Sequence, residues 1–318
     1  MKINNGISAG LAGCAADSIY RHWFGMIQGN NFFNNIEEDT IMRCSFIINA
    51  VAYLLCILIS TSNLWANDKN FPYEVRKSHI FLMSGGFSIH LLGEYLIDHH
   101  DPISLEKIQT LKRSDINKFD RSTTYLWSPK WDERSYFYRD VCLVSPTLLF
   151  LPELINRKWN NLFTLGVMYL DAYFLTNAVT SLTKGLAGRT RPYMFNTSLS
   201  VEKRYRLVTE EYMDCYGSFF SGHTSAAFAS VVFLAKAYED IYGKSIWSKI
   251  IWCAGLSTAS LTGYCRYKSG EHYPSDVIVG ALAGSAVSYA VILNHTKVIN
   301  NVVSYQLSPN SIYLTYHF

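Results

Sequence analysis

The sequence is short of charge. Only 17% of its 318 residues are Asp, Glu, Lys or Arg, where an ordinary soluble domain carries about 25%. The two signs nearly cancel, 28 basic residues against 25 acidic, for a formal net charge of +3. With that balance and no basic run, the chain lacks the electrostatic footprint of a nucleic-acid binder, so no nucleic-acid partner is expected. Cysteine is also scarce. Seven in this length are too dilute for a small disulfide scaffold. Neither a CxxC pair nor a His/Cys set at metal-ligand spacing occurs, so no zinc site is expected. Low-complexity linkers and internal repeats are missing, which removes solenoids and arrays. What the chain has in quantity is apolar surface. Its 49% hydrophobic and 15% aromatic content excludes a disordered chain. The length suits one large domain or two modest ones. A mean hydropathy of +0.05 does not announce many membrane spans, although the low charge leans toward a membrane.

An apolar run stands near the N-terminus. Met42-Arg43-Cys44 precede the run at 45–59, and Ser60-Thr61-Ser62-Asn63-Leu64-Trp65-Ala66 follow it. A basic start, an apolar core and a small residue at a cut site are the three parts of a secretory signal, here with a mature start near Asn67. Leu64 is an imperfect −3 residue. The pattern fits best if translation begins at Met42, so residues 1–41 are expected to be an over-extended start or a short cytoplasmic tail. The alternative for 42–66 is an uncleaved membrane anchor, long enough to span. Leu11-Ala12-Gly13-Cys14 resembles a lipoprotein cleavage box but follows almost no apolar core. Beyond this region four cysteines remain, Cys142, Cys215, Cys253 and Cys265, and spacing does not specify their pairing.

After residue 66, apolar segments at about 80–97, 140–155, 162–182, 224–242, 248–264 and 275–293 read as helices. A polar stretch over 101–139 separates the first two, with a short helical piece at 104–113. The expected fold is all-α, a helical domain over 67–293 built on a six-helix core. The tail at 294–318 reads differently. Ile312, Leu314, Tyr316 and Phe318 alternate with Tyr313, Thr315 and His317 after the turn-like Ser308-Pro309-Asn310, which predicts a terminal strand paired with 302–307 as a hairpin. Such a tail also resembles the last strand of an outer-membrane barrel, but one hairpin cannot close a barrel. Membrane crossing stays open on composition. The segment at 162–182 has the length but holds Asp171 and Asn177. The segment at 275–293 carries Gly280, Gly284 and Ser285 at close-packing spacing, and 140–155 is short, with Pro146 and Glu153.

Three clusters carry chemistry. The first, Lys184-Gly185-Leu186-Ala187-Gly188-Arg189-Thr190-Arg191-Pro192, follows an apolar helix. Its glycines and proline predict a helix end running into a loop, where Lys184 and Arg191 can converge. Two cations without nearby acids call for an anion, and a guanidinium suits a tetrahedral oxyanion. A basic loop at the end of a membrane helix would read the same way. The second cluster, Gly217-Ser218-Phe219-Phe220-Ser221-Gly222-His223-Thr224, opens an Ala-rich helix. Ser221 is the expected N-cap, and Gly222 permits close approach of a ligand to the backbone. The helix N-terminus offers free N–H groups to phosphate, and His223 can exchange a proton near neutral pH. The third cluster runs from Cys265-Arg266 through Glu271-His272-Tyr273-Pro274-Ser275-Asp276. Pro274 marks a helix start, and Asp276 in the first turn can reach back to His272, leaving Nε2 of that ring as a nucleophile.

In this order the clusters resemble the type 2 phosphatidic acid phosphatase family, relatives of bacterial acid phosphatases and vanadium haloperoxidases. K-x6-RP is intact at Lys184–Pro192. The PSGH motif stands as Phe220-Ser221-Gly222-His223, with Phe for Pro. The SR-x5-H-x3-D motif stands as Cys265-Arg266 through His272 and Asp276, with Cys for Ser, which removes one hydroxyl that could meet phosphate. The resemblance covers about 140–293. It implies a phosphatase that needs neither metal nor cofactor, in which His272 attacks phosphorus, oriented by Asp276, and forms a phosphohistidine. His223 would protonate the leaving oxygen, and Lys184, Arg191, Arg266, Ser221 and Gly222 would hold the other oxygens. Arg189 lies outside the defined positions and is a weaker candidate. Asp98-His99-His100-Asp101 reads as a solvated loop, and Phe119-Asp120-Arg121 as a structural ion pair.

The implied substrate is a phosphorylated lipid or a small phosphate ester, with inorganic phosphate as product. The implied setting is the bacterial inner membrane, with the site facing the periplasm. A soluble exported acid phosphatase, a vanadate-dependent haloperoxidase and a non-enzymatic envelope scaffold are the competing expectations.

Overall fold

The computed structural model describes residues 70–100, 103–210 and 214–297, together with the backbone of 303–308 and 311–316. The expected signal or anchor at 42–66 and the extension before it lie outside the described residues.

The described chain is helical. Helix α1 (Lys77–Asp98) is followed by the short α2 (Leu105–Thr110), which Ser104 caps by accepting the Lys107 backbone N–H. Helix α3 (Pro129–Val144) begins with proline at its first position, where a missing N–H costs nothing. It starts inside the stretch read from the sequence as a polar connection. The helix expected over 140–155 is not continuous. Pro146 cannot donate to the ladder, so the chain tightens into a 3-10 turn at Ser145–Leu149 before α4 (Phe150–Ile155). Helix α5 (Trp159–Ala187) has 29 residues and closes at Gly188, and α6 (Val201–Thr209) is short. Three long helices complete the array: α7 (Gly222–Tyr242), α8 (Ile246–Ser269) and α9 (Pro274–His295). The expectation of six helices was therefore too simple, because short polar-capped helices and 3-10 turns leave weak apolar periodicity. Strands β1 (Val303–Ser308) and β2 (Ser311–Tyr316) pair with each other, Val303 opposite Tyr316. The side chains whose alternation predicted a hairpin lie outside the described residues.

Helix α7 is the hub. It packs on α3, α5, α8 and α9, while α1 lies along α5. Its buried face is built of Ala227, Ala229, Val231, Val232, Ala235 and Ala237, with Phe233 filling the larger gap. Small residues let α9 come close. A Cβ on Gly284 would lie 2.0 Å from the Ser225 carbonyl oxygen and one on Gly280 2.7 Å from that of Ser221. Only glycine fits such a backbone approach, as the spacing of the two predicted. One apolar core joins α5, α7 and α9 through Leu165, Met168, Phe233 and Ile292. A second, of Ile108, Tyr193, Met194, Phe195 and Leu207, caps the other end. That cap anchors the loop after α5, which carries Arg191.

Much apolar surface faces outward. Phe81, Phe137, Ile155, Leu186 and Leu282 are exposed, as are Val144, Ile246 and Trp247. Helices α1 and α9, and the stretch Trp159–Phe195 that contains α5, are long and apolar enough to cross a membrane.

Candidate active site

The three clusters sit at helix ends that face one another. Helix α5 delivers Lys184 in its last turn, and the chain then turns at Gly188 so that Arg191 precedes a 3-10 turn at Pro192–Phe195. Ser221 is the N-cap of α7 and accepts the Thr224 backbone N–H at 3.4 Å and meets the Thr224 hydroxyl at 2.8 Å. Gly222, the first residue of α7, lies against α5. A Cβ there would stand 3.8 Å from Lys184 Nζ and 3.3 Å from Thr180 Cγ2. The α7 N-terminus and Lys184 are thus adjacent. The Ser221 backbone N–H donates to the Asp276 carbonyl at 3.1 Å, tying the second motif to the third.

His272 lies between α8 and α9 and is 1% exposed. Its Nδ1 is 2.7 Å from the Ser218 carbonyl oxygen, an acceptor only, so that nitrogen carries the proton. Nε2 is left with its lone pair, 3.3 Å from Arg191 NH1. Burial, with Arg191, Arg266 and Lys184 around it, holds the imidazole well below its ordinary pKa range. The ring is therefore neutral at pH 7, the form a nucleophile needs.

The expected His272–Asp276 hydrogen bond is not made. The carboxylate stands 3.7 Å from Nδ1. Asp276 instead accepts the Ser218 hydroxyl at 2.5 Å, the Tyr273 backbone N–H at 3.0 Å, and Arg189. It grips the segment whose carbonyl holds the ring. The physical reason is local: a first-turn carboxylate is drawn to its own helix's free N–H groups. Arg189 has a larger structural part than its position outside the motif suggested. It spans Asp276, Ser275 Oγ at 2.9 Å and Asp120 at 2.8 Å, with its guanidinium 4.0 Å over the Tyr273 ring. Asp120 does not pair with Arg121, as its neighbour in sequence suggested. Arg121 donates to the carbonyls of Ser114 and Ile116 instead.

The guanidiniums of Arg191 and Arg266 meet across a carboxylate absent from the expected set. Glu271 Oε2 accepts from Arg191 at 2.8 Å and from Arg266 at 3.3 Å. Arg191 also binds Asp214 at 3.0 Å, and Arg266 binds Asp132 and the Ser135 hydroxyl. Burial raises the Asp214 pKa, but Arg191 and Lys184 outweigh it and hold that acid at about 2. His223, in the first turn of α7, meets helix α3: Arg139 NH1 is 3.0 Å from its Nε2, and the Tyr136 ring lies edge-on at 4.5 Å. Asp132, Ser135, Tyr136 and Arg139 stand at positions i, i+3, i+4 and i+7, which places them on one helical face. That spacing was the signal that could have found them.

The helical bundle gathers cations and two histidines around a helix N-terminus, an arrangement whose charge suits an oxyanion. Residues 163–299 match the model of the PAP2 superfamily. The resemblance to the type 2 phosphatidic acid phosphatase family, read from three motifs, therefore stands for this segment. A curated relative, the Probable diacylglycerol pyrophosphate phosphatase 1 of Schizosaccharomyces pombe, is 28% identical over 173 residues, 48% of this chain and 61% of that protein. The chain thus spans about three fifths of that relative's length. A transmembrane PAP2 type phosphatidylglycerolphosphate phosphatase from Bacillus subtilis is 17% identical with a TM-score of 0.40, covering 66% of this chain and 94% of that one.

Proposed function

We propose that the protein is a phosphatase that hydrolyses a phosphate ester or diphosphate of a lipid through a phosphohistidine. One observation carries the reading: a buried neutral imidazole whose Nδ1 proton is held by a carbonyl at 2.7 Å and whose Nε2 faces Arg191 at 3.3 Å. Nε2 of His272 attacks phosphorus, the P–O bond to the leaving group breaks, and His223 delivers a proton to that oxygen. Water then splits the N–P bond, releasing inorganic phosphate and restoring the ring. Lys184, Arg191 and Arg266 neutralise the phosphoryl oxygens, aided by the free N–H groups behind Ser221 and Gly222. Every group in the sequence belongs to the chain, and no metal is invoked.

The lipid character of the substrate is supported by the outward apolar surface and the three helices of spanning length. The name of the yeast relative adds a lipid diphosphate to the candidates. In this reading residues 67–293 form the catalytic domain, held in a bacterial inner membrane with the site toward the periplasm. Release of the protein by salt or osmotic shock alone would favour a soluble exported phosphatase instead. Phosphate release from phosphatidate, phosphatidylglycerophosphate, undecaprenyl pyrophosphate and lipid A phosphates in detergent micelles tests the activity. His272→Ala should abolish release on every substrate with an unchanged helical circular dichroism spectrum. Turnover near wild type in that variant would refute the assignment.

A further inference from the structure

Glu271 stands where the candidate mechanism has no use for it. Its side chain is buried, and its Oε2 bridges Arg191 at 2.8 Å and Arg266 at 3.3 Å. These are two of the three cations assigned to the phosphoryl oxygens. Arg191 NH1, which Glu271 holds, is the atom 3.3 Å from His272 Nε2. A phosphoryl group within reach of that nitrogen and that guanidinium lies beside the Glu271 carboxylate. The other oxygen, Oε1, is buried without a hydrogen-bond partner. An ionised carboxylate against a phosphoryl dianion is strongly repulsive in a buried site. A protonated one becomes a donor that can join the cradle.

We propose that anion binding in this site is coupled to uptake of one proton by Glu271, which changes from a carboxylate clamping the two arginines into a hydrogen-bond donor to the bound oxyanion.

The surroundings set the direction. Arg191 comes from the loop after α5, Lys184 from α5 itself, Arg266 from α8, Asp132 and Tyr136 from α3, Asp214 and Tyr193 from the cap, and His272 from the next position in the chain. The three cations face three acids, Glu271, Asp132 and Asp214, so the cradle has little net charge until Glu271 is neutralised. Burial, with Asp132 and Asp214 nearby, lifts the Glu271 carboxyl above its ordinary range against the pull of Arg191 and Arg266. His272 is held in its neutral form and supplies no competing proton. Raising the pH ionises Glu271, restores the clamp and weakens anion binding. Lowering it strengthens binding.

Sulfate is the probe, because it remains a dianion across the working range and contributes no proton of its own. The proposal rests on the phosphatase reading only for the site's preference for a tetrahedral oxyanion, and sulfate binding needs no turnover. Calorimetric titration of the full chain in detergent micelles, in buffers of different ionisation enthalpy, counts the protons taken up. At pH values where the free carboxyl is ionised and the sulfate-bound one is protonated, the wild type should approach one proton per sulfate, with affinity falling by up to about tenfold per pH unit. Glu271→Gln should take up none and bind sulfate with little pH dependence. Glu271→Asp should keep the proton uptake. Equal uptake by wild type and Glu271→Gln overturns the proposal, as does sulfate binding by the wild type without proton uptake at any pH. If Glu271→Gln does not fold, the wild-type count and Glu271→Asp still decide. No sulfate binding by the wild type overturns the oxyanion reading beneath it, whereas pH-independent binding overturns the role of Glu271 alone.

Discussion

Replacing Asp276 with Asn separates two accounts of this carboxylate. Where an acid holds a catalytic imidazole in its tautomer directly, Asp→Asn costs about 10⁴ in kcat. Here the tautomer is held by the Ser218 carbonyl at 2.7 Å, and Asp276 stands 3.7 Å away. The substitution leaves that carbonyl in place. Its cost falls on the structure. Asp276 accepts from the Ser218 hydroxyl, the Tyr273 N–H and Arg189. Asn offers one oxygen to three donors and turns an N–H₂ group toward the rest. Each lost charge-assisted bond is worth about 1.5–3 kcal/mol, and breaking a buried pair with Arg189 brings the total to about 3–5 kcal/mol. Thermal unfolding in micelles should show that loss. Phosphate release by the folded fraction should fall by about tenfold, or about 1.4 kcal/mol in the barrier. A drop of about 10⁴ in kcat with an unchanged melting temperature would show that Asp276 acts on His272 itself and refute the reasoning.

Other outcomes follow from the same geometry. Arg139→Gln removes the guanidinium 3.0 Å from His223 Nε2 and should lower kcat/KM by about ten- to a hundredfold, the worth of one charge-assisted bond; unchanged kinetics would detach Arg139 from the site. Gly284→Ala places a methyl 2.0 Å from the Ser225 carbonyl oxygen. Helices α7 and α9 must then part, and the variant should lose about 1–3 kcal/mol or more, or fail to accumulate, which urea titration or expression yield would reveal. Asp214, held at about 2, stabilises the fold above the pKa of an unfolded aspartate and loses that contribution as pH falls toward its folded value. Asp214→Asn should therefore cost about 2 kcal/mol at neutral pH, and its melting temperature should converge with that of the wild type between about pH 4 and about pH 2. A gap that persists at the acid end would contradict the pairing with Arg191.

Helix ends were the legible part of this protein. Ser221 as a cap, Pro274 as a helix start and the close packing of Gly280 and Gly284 follow from chemistry confined to a few neighbouring residues. So does the end of α5 between Lys184 and Arg191. The break at Pro146 was visible as a proline, yet the apolar residues on either side carried the reading across it. Helix α3 went unseen because its site face is polar: Asp132, Ser135 and Arg139 look like a solvated stretch until a partner is supplied.

The sequence by itself determined which residue types stand at the ends of which helices, because capping, proline geometry and motif spacing act over one or two turns. It also determined that their sum suits an oxyanion. Only the tertiary structure decided who pairs with whom. Asp120 turns from Arg121 to Arg189, Asp276 from His272 to Ser218, and Glu271 closes between Arg191 and Arg266. These choices are made by burial. A charge taken out of water must find its counter-charge among whatever groups the packing of α3, α5, α7, α8 and α9 brings within a few ångströms, and distance along the chain has no part in that selection.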